Sequence, residues 1–99
     1  MAAELVVASE AEQDIAEAYA WYEGQRVGLG EEFLSCVDAC IEAFRRMPEL
    51  HAEIYQSYRR ALVRRFPYMV FYEFTGNVVT VYCVFHTSQD PDKWVRRLS

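Results

Sequence analysis

Arg59-Arg60-Ala61-Leu62-Val63-Arg64-Arg65 runs straight into Phe66-Pro67-Tyr68-Met69-Val70-Phe71-Tyr72, followed by Val78 to His86 and then Asp90-Pro91-Asp92-Lys93-Trp94. Tyr58 to Phe66, Tyr68 to Phe74 and Val78 to His86 are rich in aromatic and β-branched residues, which suit a pleated, half-buried surface. Thr75-Gly76-Asn77 places a glycine-containing turn between the last two runs, so the stretch reads as an antiparallel meander. Val78 to Phe85 is apolar at nearly every position, the pattern of a central strand covered on both faces. Residues 91–98, with proline at their start, predict a short closing helix.

Upstream of the meander, residues 4–8 read as a short strand. Ser9 and Glu12 have the spacing of a capping box, in which hydroxyl and carboxylate each satisfy a free backbone donor, so a helix is expected from there. Ala11, Ile15, Ala18, Tyr19 and Tyr22 share one face of that helix, which ends near Gly24. Gly24 to Gly30 supplies a turn. Leu29, Phe33, Cys36, Val37, Cys40, Ile41 and Phe44 then form a second apolar stripe, stopped by Pro48 because the residue before proline is pushed out of helical conformation. The predicted order is β-α-α-β-β-β plus a short C-terminal helix: an α+β fold with an antiparallel helix hairpin packed on a mainly antiparallel curved sheet.

A chain of 99 residues has room for one core, so residues 1–99 are taken as a single domain. With 53% hydrophobic residues the composition supports such a core. Leu5-Val6-Val7-Ala8 is too short for a signal peptide and is preceded by Glu4, and no segment approaches the length of a membrane span. Three cysteines without an export signal imply reduced thiols and a cytoplasmic setting. The net charge of −5 is unevenly spread: residues 1–58 hold twelve acids against three arginines, a net −9, whereas residues 59–99 hold seven basic residues against three acids, a net +4. The overall field repels nucleic acid at a distance, while the C-terminal half can still attract an acidic partner at short range.

Over Leu5 to Leu98 this arrangement resembles the RelE/ParE toxin superfamily of type II toxin–antitoxin systems. Three pieces carry the likeness: the helix hairpin through Ala20-Trp21-Tyr22 and Gly28-Leu29-Gly30, the run Arg64-Arg65-Phe66-Pro67-Tyr68, and Val84-Phe85-His86 leading to Asp90-Pro91 and Trp94. The resemblance implies a toxin neutralised by a cognate antitoxin; no membrane role, cofactor or metal is expected. Its RelE-like branch cuts messenger RNA in the ribosome; its ParE-like branch poisons DNA gyrase by binding it. A relative that keeps only antitoxin binding is a third possibility.

Metal-free RNA cleavage needs a base for the 2′-hydroxyl, cations for the phosphate and an acid for the leaving oxygen. The position after Tyr68, which RelE-like enzymes fill with arginine, is Met69; after the last strand, where another basic residue is expected, the chain reads Thr87-Ser88-Gln89. The remaining candidates for a ribonuclease are Arg64, Arg65 and His86. Trp94 stands where an aromatic acid–base residue would be, and indole exchanges no proton at neutral pH. Free imidazole titrates near physiological pH, which makes His86 a candidate base, but a histidine at a strand end also serves as a hydrogen-bonded structural residue. The loss of cations brings the chain closer to ParE-like members, with Arg59, Arg60, Arg64, Arg65, Trp94, Arg96 and Arg97 as the surface for target or antitoxin.

Each of these residues also has a plainer reading. With strand alternation, Arg60 and Arg64 share a face with Leu62, and Arg59 and Arg65 share the other with Ala61 and Val63; arginines on an outer strand can simply discourage edge pairing. Alternatively, their planar forks grip carboxylate or phosphate. Cys36, Cys40, Cys83 and His86 are poorly spaced for zinc, and Cys83 is expected on the face of Val79, Val81 and Phe85, where a small buried thiol belongs. The aromatic residues are core fillers on this reading, with Tyr58 and Trp94 as the pair expected at the surface and His51 in an exposed loop.

Overall fold

The computed structural model describes residues 2–99. Strand β1 (Glu4–Val7) leads into helix α1 (Ser9–Gln25), which turns back as α2 (Leu29–Arg46). Strands β2 (Glu53–Tyr55), β3 (Tyr58–Leu62), β4 (Tyr68–Thr75) and β5 (Val78–His86) follow, then helix α3 (Pro91–Leu98). The strands form one sheet in the order β1-β5-β4-β3-β2, antiparallel except where β1 runs parallel to β5. The expected α+β layout is therefore present.

Two apolar clusters lie on opposite faces of the sheet. The larger one fills the space between the hairpin and the sheet, where Phe33, Val37, Ile41 and Phe44 of α2 meet Val70, Tyr72, Val79 and Val81. Phe44 and Tyr72 stack in parallel with ring centroids 3.9 Å apart, and the Tyr72 hydroxyl donates to the Pro48 carbonyl at 2.9 Å. Burial pushes that phenol up to about 12. The smaller cluster holds Met69, Phe71, Cys83 and Phe85, roofed by Trp94 and Leu98 of α3.

The turn between the helices is held by one carboxylate. Glu23 accepts the Gly28 N–H at 3.0 Å and the Gly30 N–H at 2.9 Å, satisfying donors that a helix start leaves free. Gly28 has φ +90°, a conformation that glycine adopts without the penalty a Cβ would bring.

Several expectations are corrected. The capping box does not form: Ala8, fixed by its N–H bond to the Val81 carbonyl, is the cap, so the helix starts at Ser9 itself. The Ser9 hydroxyl turns to Glu10 instead, at 3.2 Å. The arginine strand stops at Leu62 rather than Phe66, because Val63 N–H bonds the Tyr68 carbonyl and closes a tight loop in which Arg65 takes φ +72°. β3 is not an outer strand either, since β2 lies beyond it.

A bulge corrects the placement of Cys83. Phe71 faces Cys83 while the next residue, Tyr72, faces Val81, so Tyr82 is an extra residue in β5. That insertion moves Cys83 and Phe85 to the face opposite Val79 and Val81. Tyr58 and Trp94 are half-buried in the second cluster rather than being the exposed aromatic pair. His51 is half-buried beside Tyr72, with ring centroids 6.3 Å apart.

Candidate functional site

The basic residues do not make one patch. Arg59 lies on the helix side of β3, where its guanidinium donates to the His51 carbonyl at 2.6 Å and sits 3.8 Å from Glu53. Only 16% of its side chain is exposed, so it buttresses the loop after α2. Arg60, next along the strand, points to the other face and is exposed. Arg65 donates to Glu32 Oε1 at 2.8 Å and lies 5.8 Å from the centre of the Phe66 ring. Arg64 and Arg96 are exposed and make no ion pair among the described residues. Trp94 stacks on Phe71 with centroids 4.9 Å apart and meets Tyr55 edge-on, which is a packing role.

Residues of different elements converge elsewhere. β1 ends at Val7 opposite Val81, so the last residues of β5 have no strand on that side. α1 passes there instead, leaving a cleft of about 740 Å³ between helix and strand. α1 contributes Asp14, Glu17, Trp21 and Tyr22 to its lining; Tyr68 and His86 face them across the gap, and Gln89 and Arg97 complete one end. The backbone donors of the unpaired strand edge are met by side chains: Val84 N–H donates to Asp14 Oδ2 and His86 N–H to Gln89 Oε1, each at 3.0 Å. This is how an edge that would otherwise invite pairing is closed.

Electrostatics inside the cleft are mostly settled internally. Arg97 donates to Asp14 Oδ2 at 2.6 Å and lies 5.1 Å from the centre of the Phe85 ring. Desolvation pushes the Asp14 carboxyl above its ordinary range, against the pull of the Val84 N–H and the Arg97 guanidinium. His86 Nδ1 accepts from the Ser88 N–H at 3.0 Å and lies 2.7 Å from the Ser88 hydroxyl, while its ring meets Tyr68 edge-on at 5.2 Å. These neighbours fix its position in the wall of the cleft.

Of the residues singled out from sequence, His86 and Arg97 reach this cleft; Arg59, Arg60, Arg64, Arg65, Trp94 and Arg96 do not line it. Asp14, Trp21, Tyr68 and Gln89 line it too, although the sequence marks none of them as a site residue. Trp21 left a signal, since it falls off the Ala11-Ala18-Tyr22 stripe and so puts a large ring where a polar side chain is expected. The cysteines lie on opposite faces of the sheet, Cys36 and Cys40 against the larger cluster and Cys83 in the smaller.

The family described as "ParE toxin of type II toxin-antitoxin system, parDE" matches residues 5–91. The chain belongs to the ParE toxin family. No curated protein sequence matches it significantly. Among solved structures, this ParE-family chain is similar to one from the chromosomal ParDE toxin–antitoxin system of P. aeruginosa, at 14% identity and a TM-score of 0.66. That match covers 87% of this chain and 97% of the other. A chain of the RelBE2 toxin–antitoxin complex of Mycobacterium tuberculosis is similar at 14% identity and a TM-score of 0.62, covering 87% of this chain and 99% of the other. At such identities the likeness is one of fold. Among the described residues of this ParE-family chain, no helix is long and apolar enough to cross a membrane.

Proposed function

We propose that this ParE-family chain acts in the cytoplasm as a toxin that binds a protein target such as DNA gyrase, and that a cognate antitoxin neutralises it. One observation carries the reading. Met69, at the position that the resemblance assigns to an arginine in RNA-cutting relatives, is 6% exposed in an apolar cluster beneath Trp94. Its neighbours in that cluster are Phe71, Cys83 and Phe85, so this position offers a phosphate no cation. The dispersal of Arg59, Arg60 and Arg65 to three environments supports the same conclusion, because a transition-state anion needs its donors converged. Purified gyrase should lose supercoiling activity when this chain is added at stoichiometric excess; unchanged supercoiling overturns the gyrase reading.

A ribosome-dependent ribonuclease is the second reading, favoured by the joint placement of His86, Tyr68 and Arg97 around one cleft. It requires cleaved messenger RNA in a translation reaction and loss of cutting in His86→Ala. Intact RNA removes it.

A further inference from the structure

We infer that the cleft between α1 and the end of β5 is a receptor for a cationic side chain, arginine or lysine, presented by a segment of a protein partner. The inference deepens the protein-binding reading above and rests on the cleft being a partner surface.

The charges at the cleft decide the sign of its occupant. Arg97 and Asp14 neutralise each other through a 2.6 Å ion pair, so neither is free to recruit an opposite charge. Glu17 has no ion pair among the described residues and receives only an amide contact from Gln13 at 3.4 Å. The rim therefore keeps one uncompensated carboxylate. An acidic segment entering here would meet that charge and the surplus of −9 carried by residues 1–58.

The walls favour the same guest. Trp21 is 60% exposed, and it packs edge-on against Tyr22 at 5.1 Å, so its ring is held in place while remaining wet. Tyr68 stands across the gap, fixed edge-on to His86. Aromatic faces beside a carboxylate attract a guanidinium or ammonium through the ring quadrupole, and a stem of methylenes covers the apolar remainder. A hydrophobic side chain would gain the rings but would desolvate Glu17 without return.

The test is a titration of the uniformly ¹⁵N-labelled protein with acetyl-Gly-Arg-Gly-amide, its lysine and glutamate counterparts, and a citrulline version that keeps the shape but not the charge. The arginine or lysine peptide should move the Trp21 indole N–H and the amides of Glu17 and Tyr68 saturably. Citrulline should bind about tenfold more weakly, the worth of one desolvated cation–π contact. Glu17→Gln, at an exposed position that leaves packing intact, should weaken the arginine peptide roughly threefold to fivefold. Equal binding of citrulline, signals spread over the acidic helix surface, or an unaltered Glu17→Gln affinity would each overturn the inference. Supercoiling is read separately: inhibition without arginine binding sinks the receptor and spares the toxin reading, whereas arginine binding without inhibition upholds the receptor and removes gyrase as its partner.

Discussion

Asp14 on the first helix and Arg97 near the end of the chain form a 2.6 Å ion pair whose carboxylate oxygen also accepts the Val84 N–H. Two elements far apart in sequence and one strand edge thus depend on a single side chain. Asp14→Ala leaves the guanidinium unpaired and the edge donor unmet, and should lower stability by about 2–3 kcal/mol in urea unfolding.

The same carboxyl has a pH signature. Because desolvation raises its value in the folded state, the folded chain holds that proton more tightly than the unfolded one. The Asp14 contribution to stability therefore declines as pH rises from the ordinary aspartate range through the raised value. Asp14→Asn keeps an acceptor for Val84 and removes the titration. The difference in stability between wild type and Asp14→Asn, followed across that window, should change in this direction; a flat difference contradicts the assignment.

Gly24 and Gly30 provide opposite outcomes for one substitution. A Cβ on Gly30 would stand 2.8 Å from the Tyr19 ring and 2.9 Å from the Glu23 carboxylate that holds the turn, whereas one on Gly24 meets nothing within 4 Å. Gly24→Ala should stabilise by up to about 1 kcal/mol through helix propensity. Gly30→Ala should destabilise by roughly 1–2 kcal/mol despite that gain, since overpacking costs more than the propensity returns. Thermal unfolding of the pair should show melting temperatures moving in opposite directions.

Trp94→Ala strips the stack from Phe71 and opens the smaller cluster to water. For a half-buried indole the cost should be about 2–3 kcal/mol, below the usual loss for a fully buried one. Trp94→Phe should recover most of it. Equilibrium denaturation of both variants separates packing from any surface role.

Thiol reactivity should follow burial. Cys40 is pushed up to about 11 and Cys83 to about 12 by desolvation, so both hold little thiolate at pH 8. Mass spectrometry after iodoacetamide treatment should find Cys40 and Cys83 unmodified in the folded protein and alkylated in urea. Early modification of Cys83 would mean that α3 opens readily.

The layout was legible because each element carried its own period: Phe33, Val37, Ile41 and Phe44 for α2, the continuous run of β5, proline at the first turn of α3. What escaped has physical reasons. Glu53-Ile54-Tyr55 is too short to display an alternation, so its sequence does not reveal β2 or the inner place of β3. Arg64 and Arg65 continue the composition of β3 but belong to a turn, which the left-handed Arg65 backbone reveals and residue type does not. The face of Cys83 depends on one extra residue at Tyr82, which no pattern of apolar residues marks.

The cleft was harder still. Its existence depends on β1 stopping at Val7 while β5 continues to His86, a mismatch of lengths between strands at opposite ends of the chain. Local spacing says nothing about such a mismatch. His86 and Arg97 carry chemistry in their residue type, whereas Asp14 differs from the other acids of α1 only through its bonds to Val84 and Arg97.

The parallel pairing of β1 with β5 also orders events during synthesis. The first strand emerges from the ribosome early but has no neighbour to join until the last strand has followed it, so the sheet cannot be completed on a nascent chain. Truncated or stalled products should therefore be left with an open sheet edge along β5, and a finished fold exists only once the whole meander has been made.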